Sequence, residues 1–224
     1  MYIIGINAFH GDSSACILKD GRLIAAAEEE RFRRIKHWAG FPSEAIKWCL
    51  SEAGIGLENV EHIALNQDVK ANLLRKIIFT FKNRPNLKML LDRLKNKRKR
   101  LNINDQILKV FSNSKFNGSI HAVEHHAAHL SSAFHTSNFN EAVVVSVDGF
   151  GDFASTAFGI GKGTKINLAD RVYFPHSLGI FYQALTQYIG FHNYGDEYKV
   201  MGLAPYGKPV YIKQLRDIVK LKSD

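Results

Sequence analysis

Residues 2–27 read YIIGINAFHGDSSACILKDGRLIAAA, and this stretch decides the fold. Two short apolar runs, at 2–9 and 13–18, are separated by a small polar loop. A hairpin signal, Lys-Asp-Gly-Arg at 19–22, then precedes a third apolar run at 23–27. The sequence therefore predicts that the chain opens with three strands joined by tight turns.

The elements that follow predict the rest of a mixed sheet. Ser43 can cap a helix whose apolar residues recur at helical spacing until Gly54. Further strands are predicted at 62–66 and 120–123, and a helix at 126–136. Three antiparallel strands followed by alternating helices and parallel strands are the order of a ribonuclease-H-like α/β unit. That unit builds the actin-like ATPase and sugar-kinase superfamily, so we expect a mixed sheet with flanking helices.

A second unit of the same kind is predicted to begin near Asp148. Residues 142–147 are a continuous apolar, β-branched run, which is typical of a buried central strand. Strands at 154–161 and 167–174 and a helix at about 179–189 follow. We expect a first subdomain at 1–148 and the start of a second at 149–224, left incomplete by the end of the sequence.

The net charge of +9 is concentrated in one segment. Between Lys82 and Arg100 the sequence has nine Lys or Arg and one acid, whereas the remainder is nearly neutral. A solvated helical insertion at about 70–115 is one interpretation, and a phosphate-contacting or partner-docking surface is the other. Because the charge is local, the fold as a whole is not predicted to bind nucleic acid.

The compartment is predicted from what the sequence lacks. It has no apolar stretch of the ~18–20 residues that a membrane helix needs, and no secretory signal pattern at its start. Cys16 and Cys49 lie in unrelated segments without CxxC spacing. We expect a cytoplasmic protein that does not bind membranes.

Two histidines and an aspartate predict a metal site. His125 and His129 are spaced i,i+4, so they share one face of a helix, whereas His126 lies about 100° further round. Asp148 closes the apolar strand, and strand carboxyl ends are where α/β folds place ligand sites. Two imidazoles and a carboxylate suit iron, zinc or manganese. The alternatives are a pair of surface histidines and an aspartate that only holds its own turn.

Other residues could contact a substrate. His10 is the only titratable ring of its loop and could act in acid–base catalysis, and Lys36 could neutralise a developing negative charge. A plain turn histidine and a solvated charge run are the alternatives. Candidate substrate- or nucleotide-binding residues lie in two glycine-rich stretches: Gly149, Gly151, Asp152, Glu197, Lys199 and Gly202.

Several strings resemble the carbamoyltransferases of nodulation-factor and antibiotic biosynthesis. They are His-Gly-Asp-Ser-Ser-Ala at 10–15, Glu-Glu-Arg-Phe at 29–32 with Lys-His at 36–37, His-His-x-x-His at 125–129, Asp-Gly-x-Gly-Asp at 148–152, and EYKVMGLAPYG at 197–207. The last string is long and specific.

The resemblance implies an N-terminal domain similar to the tRNA threonylcarbamoyl-transferring enzyme. In the family a C-terminal YrdC-like domain, absent from this sequence, makes carbamoyl-adenylate from carbamoyl phosphate and ATP. The N-terminal domain then passes the carbamoyl group to a hydroxyl of a sugar or small molecule at a metal, which is iron in the best-known case. By position His125, His129 and Asp148 would hold the metal, His10 would be the base, and Lys36 would contact the carbamoyl-adenylate.

The resemblance also sets limits on this chain. The family's metal takes a further aspartate from beyond the end of the sequence, and the YrdC-like domain is absent, so we expect the chain by itself to bind metal weakly and not to turn over. Threonylcarbamoyl transfer to tRNA is an alternative function, although the EYKVMGLAPYG string speaks against it. A non-catalytic fragment that docks a partner through residues 82–100 is another, and a homodimer is left open.

Overall fold

Five strands form the first sheet of the computed structural model, which describes residues 1–83, 103–112 and 114–220. They are β1 (Tyr2–Asn7), β2 (Ser14–Lys19), β3 (Arg22–Glu28), β4 (His62–Leu65) and β5 (Ser119–Ala122). The spatial order is β3-β2-β1-β4-β5, in which β1 to β3 are antiparallel and β4 and β5 run parallel to β1. The sequence predicted three antiparallel strands followed by parallel strands alternating with helices, and the ribonuclease-H-like fold class is confirmed.

Alternating side chains of these strands build the main core. Ile4 and Ile17 are fully buried against α2 (Ser43–Ala53), which contributes Ile46 and Cys49. The helix α4 (Ile103–Val110) adds Ile103 and Ile107 to the same cluster. Each fully buried aliphatic side chain stabilises the fold by about 1.5–3 kcal/mol. One face of the first sheet is therefore covered by this core.

A buried carboxylate joins β3 to α2. Glu29, between β3 and the short helix α1 (Glu30–Arg33), is 0% exposed and accepts hydrogen bonds from the backbone N–H groups of Glu44 (3.2 Å) and Ala45 (2.8 Å). Its Oε1 also accepts from Nε of Arg33 at 2.6 Å and from Oγ of Ser43 at 3.3 Å. The sequence had indicated a solvated charge run here, so this prediction is wrong for Glu29.

A second sheet contains β6 (Glu141–Gly151), β7 (Ala154–Lys162) and β8 (Lys165–Tyr173), all antiparallel, in the order β6-β7-β8. The helix α5 (His125–Phe134) packs on it, and a separate small core forms there from Leu130, Phe134, Val144 and Ala157. The hairpin predicted after Asp148 is therefore present.

The predicted burial of the 142–147 strand is wrong. Val143, Val145 and Val147 are 74%, 60% and 55% exposed, whereas Val144 and Ser146 are buried. Among the described strands β6 pairs only with β7, so it lies at the edge of its sheet. One face of β6 meets α5 and the other is open, although the sequence pattern is apolar on both.

The remaining described helices are α3 (Leu73–Asn83), α6 (Leu178–Tyr188), α7 (Glu197–Leu203) and α8 (Ile212–Ile218), with short 3₁₀ turns at Leu57–Asn59 and Ala204–Tyr206. Residues up to Gly179 form one compact unit and residues from Ile180 a second. The predicted subdomain boundary at 148/149 stays a prediction. Most of the basic segment, residues 84–100, lies outside the described residues. Of the helices described, none has the length and apolar character to cross a membrane.

Candidate metal centre

The structure brings His125, His129 and Asp148 together. Nε2 of His125 lies 2.7 Å from Oδ2 of Asp148 and 3.0 Å from Nε2 of His129, and the latter is 3.5 Å from the same Oδ2. The three residues differ in exposure: His125 is buried, Asp148 is half-buried and His129 is exposed. One side of the three-residue cluster is therefore open to solvent.

Local structure explains why the three side chains meet. α5 begins at His125, and its N-cap Glu124 accepts a hydrogen bond from the N–H of Ala127 at 2.8 Å. Four residues on, the i,i+4 spacing places His129 beside His125, with ring centroids 4.6 Å apart. Because α5 packs on β6, the strand that carries Asp148 delivers its carboxylate to the two imidazoles.

Two glycines make room for this arrangement. A Cβ on Gly151 would lie 1.9 Å from Cδ2 of His125, so only glycine allows the ring to pack there. A Cβ on Gly179 would lie 2.5 Å from the carbonyl oxygen of Asp148. The N–H of Gly149 donates to Oδ1 of Asp148 at 2.6 Å, which orients the carboxylate. In this structure Gly149 and Gly151 therefore shape the cluster, and their predicted contact with a nucleotide stays a prediction.

The charges of the cluster depend on one another. Hydrogen bonds from His125 and then from His129 hold the pKa of Asp148 well below its usual range. Burial alone would lower the pKa of His125, but the hydrogen bond and negative charge of Asp148 outweigh burial and raise that pKa above its ordinary value. The site thus presents a permanent carboxylate to two imidazoles, which is the charge pattern that a cation would complete.

The three donor atoms fit a divalent metal. The three atoms lie 2.7, 3.0 and 3.5 Å from one another and would hold one divalent ion between them. Two nitrogens and one oxygen suit zinc, iron or manganese. Three protein ligands leave further coordination positions for water or substrate.

His126 is not part of this cluster. Its side chain is fully buried, and Nδ1 lies 2.9 Å from Oγ of Ser146 on β6. Burial lowers the pKa of His126, which favours its neutral form. The prediction that His126 points away from its two neighbours is confirmed.

Asp152 holds the backbone next to the cluster. Its Oδ2 accepts from the backbone N–H groups of His125 (2.9 Å) and Asp68 (2.8 Å). Burial raises the pKa of Asp152. The carboxylate bonds the turn after Asp148 to the first residue of α5, and the predicted role of Asp152 in binding a substrate or nucleotide stays a prediction.

The two predicted catalytic residues have different surroundings. The His10 ring centroid lies 6.0 Å from that of His125, so His10 borders the centre. Lys36 is 70% exposed, and its Nζ lies 3.5 Å from Glu30. Lys36 therefore pairs with Glu30, and none of the cluster contacts given above includes it.

The remaining predicted residues, Glu197, Lys199 and Gly202, lie on α7 in the second unit. There Nζ of Lys199 is 2.7 Å from Oδ1 of Asp196, which raises the pKa of Lys199. The helix therefore uses this lysine to neutralise a neighbouring carboxylate, and contact with substrate stays a prediction for all three residues.

Sequence reasoning missed a second histidine–carboxylate pair near His10. Nδ1 of His37 lies 2.8 Å from Oδ1 of Asp12, and both residues have positive φ, at 53° and 62°. Backbone bonds from Phe9 to Gly40 and from Ser13 to Trp38 join the two loops, at 3.0 Å each. The pairing joins residues far apart in sequence, so no local pattern indicates it.

Comparisons with known proteins show the family of this chain. A model described as carbamoyltransferase N-terminus matches residues 2–223. An uncharacterized protein of Synechocystis sp. is 37% identical over 231 residues, which cover 100% of this chain and 38% of that protein. Nodulation protein NolNO of Sinorhizobium fredii is 35% identical over 206 residues, which cover 91% of this chain and 29% of that protein. The chain thus spans about a third of the length of these relatives.

Among solved structures, YeaZ from Pseudomonas aeruginosa aligns with a TM-score of 0.40 and 12% identity, covering 78% of this chain and 69% of YeaZ. The family assignment rests instead on the sequence match, which spans almost every residue and includes all the motifs described above. The resemblance inferred from those motifs is confirmed, and the chain belongs to the carbamoyltransferase N-terminus family.

Proposed function

We propose that this chain provides the transfer site of an O-carbamoyltransferase, which moves a carbamoyl group from carbamoyl-adenylate to a hydroxyl of a sugar or small molecule. Membership of the family supports the transferase class. The observation that carries the proposal further is the convergence of His125, His129 and Asp148 beside His10. Carbamoyl phosphate and ATP are the proposed precursors of the carbamoyl-adenylate.

The proposed metal is iron, with zinc and manganese as alternatives, held by the three-residue cluster. When bound, such an ion would act as a Lewis acid on the carbamoyl carbonyl. Asp148 stays ionised because its pKa is far below the usual range, so it supplies a permanent negative charge. The two imidazoles must be neutral to act as ligands, so a metal would replace the proton that joins Nε2 of His125 to Asp148.

His10 is the proposed base. Its ring borders His125, where the acceptor hydroxyl would meet the carbamoyl group. As His10 takes the hydroxyl proton, the acceptor oxygen bonds to the carbamoyl carbon, the bond from that carbon to the phosphate oxygen breaks, and AMP leaves. Lys36 would have to leave Glu30 to contact the carbamoyl-adenylate.

Metal binding is the first test. Equilibrium dialysis against Zn²⁺, Mn²⁺ and anaerobic Fe²⁺ compares the wild-type chain with a His125→Ala/His129→Ala variant. His62 and His121 offer a matched control, because their ring nitrogens are also 3.0 Å apart but they join no three-ligand group among the described residues. We expect one site that is lost in the first double variant and kept in His62→Ala/His121→Ala. Equal uptake by all three proteins would contradict the metal centre.

Carbamoyl transfer is the second test. The metal-loaded chain is supplied with a separate YrdC-like domain, ATP, labelled carbamoyl phosphate, and sugars and aminoglycosides as acceptor probes. We expect labelled acceptor with the wild type and not with the His125→Ala/His129→Ala variant. Equal transfer by the double variant would refute the proposed role of the cluster.

A further inference from the structure

The turn between β6 and β7 is held in an uncommon conformation. Asp152 and Phe153 have φ values of 49° and 75°, and Asn72, which contacts the turn, has a φ of 55°. Left-handed conformations are unfavourable for residues with a Cβ and persist only where surrounding contacts fix them. The turn follows the end of β6, in which Asp148 lies four residues before Asp152, so contacts that fix the turn also bear on the position of a candidate metal ligand.

Contacts from residues 68–79 fix the conformation of this turn. Nδ2 of Asn72 donates to the carbonyl oxygen of Asp152 at 2.9 Å, and the N–H of Asp68 donates to the Asp152 carboxylate at 2.8 Å. That carboxylate also accepts from the N–H of His125. One side chain is therefore bonded both to the segment before α3 and to the first residue of α5.

An aromatic cluster continues the contact along α3. The ring of Phe79 lies edge-on to those of Phe153, at 5.7 Å, and Phe174, at 4.9 Å. The ring of Phe150, two residues after Asp148, lies 5.0 Å from Phe174. Offset and edge-to-face ring pairs at these distances are attractive. The guanidinium of Arg75 adds a contact over Tyr173 at 4.9 Å.

α3 has little else to hold it among the described residues. No residue of the helix is buried, and five of its apolar side chains are 43–78% exposed: Leu73, Leu74, Ile77, Ile78 and Phe81. A segment with few buried apolar contacts opens at low free energy. Docking of α3 onto the turn is therefore weak enough to respond to what the turn binds.

We infer that α3 is a strap that holds the β6–β7 turn and so fixes the positions of the metal-centre residues, with Phe79 as its positioning residue. Metal binding and docking of α3 then stabilise each other. This inference rests on the proposed metal centre. Metal–ligand bonds are only about 2.0–2.2 Å long, so a shift of about half an ångström at Asp148 or at the start of α5 would disturb them. Coupling between two binding equilibria is reciprocal, so a metal that needs the docked turn must also hold α3 in place.

Matched phenylalanine variants test the strap. Phe79→Ala removes the ring contacts, Phe79→Leu keeps much of the packing, and Phe81→Ala changes a side chain that is 78% exposed on the same helix. Zn²⁺ affinity is measured by competition with a chromophoric chelator, and Co²⁺ spectra report ligand geometry. We expect Phe79→Ala to weaken Zn²⁺ binding about 10- to 100-fold and to alter the Co²⁺ spectrum, with Phe79→Leu intermediate and Phe81→Ala like the wild type.

Hydrogen exchange of the wild-type chain covers the case in which Phe79→Ala does not fold. We expect saturating Zn²⁺ to slow exchange of the α3 amides at least tenfold, whereas α2 exchanges as before. Metal binding without protection of α3, or equal Zn²⁺ affinity of Phe79→Ala and the wild type, would overturn the strap alone. A wild-type chain that takes up no metal would overturn the metal centre and the strap together.

Discussion

Replacing Glu29 by alanine is expected to destabilise the chain more than any substitution of an exposed carboxylate. The change removes the acceptor of two backbone N–H groups at the start of α2, a cap worth about 1 kcal/mol. It also breaks the ion pair with Arg33. Breaking a fully buried pair costs about 3–5 kcal/mol, but Arg33 is 34% exposed and regains water, so we expect about 2 kcal/mol here.

The total is about 3 kcal/mol, which corresponds to a fall in Tm of about 6–12 °C for a chain of this size. Urea and thermal unfolding followed by circular dichroism measure both quantities. Glu29→Gln should be intermediate, because its amide oxygen still accepts a hydrogen bond but the charge is lost.

Glu44→Ala is the matched control. Glu44 pairs with Lys47 at the surface, where both side chains are more than 40% exposed, so its loss should change stability by less than about 1 kcal/mol. If Glu29→Ala and Glu44→Ala unfold within about 2 °C of each other, the buried carboxylate does not join β3 to α2 as argued.

Gly151→Ala should weaken metal binding at least about tenfold, because its Cβ would overlap the His125 ring, whereas Gly202→Ala, whose Cβ meets nothing within 4 Å, should leave dialysis results unchanged. Metal affinity should fall as pH is lowered from about 8 to about 6, because the proton on His125, whose pKa is raised, must leave before a metal binds. Metal affinity that does not change with pH would contradict this. In the metal-free protein the same pair contributes stability below the ordinary imidazole pKa and loses it as pH rises through the raised value, which urea unfolding of the metal-free chain over this pH range checks. Val145→Thr should change the free energy of unfolding by less than about 0.5 kcal/mol, because the side chain is 60% exposed, and a larger loss would restore the buried-strand prediction. Cys49, fully buried with a pKa raised to about 11 by burial, should resist iodoacetamide until the chain unfolds, as mass spectrometry can show.

Much of the fold was predictable because local patterns decide it. The Asp-Gly turn after β2, the helical spacing of apolar residues before Gly54 and the apolar run of β1 each act over a few residues. The cap predicted from Ser43 is wrong, because the N-cap of α2 is Pro42 and the first N–H groups of the helix donate to the distant Glu29. The i,i+4 histidines and an aspartate at a strand end also follow from local rules, so the candidate ligand set could be named before their distances were known.

What the sequence could not show depends on packing between distant segments. A run of valines at 143–147 has the same pattern whether one or both faces are covered, and the structure covers only one. Residues 28–30 are three consecutive glutamates, and nothing in this pattern predicts that Glu29 is the buried one. Likewise, the contacts of Phe79 with Phe153 and Phe174 join residues more than seventy positions apart.

The open face of β6 also bears on how this chain behaves at high concentration. An edge strand with Val143, Val145 and Val147 exposed, no proline and no charge between Glu141 and Asp148 has the composition of segments that assemble into intermolecular sheets. Loss of soluble protein in storage should therefore begin at this strand. A lysine at position 145 would act as a gatekeeper that preserves solubility without touching the histidines of α5.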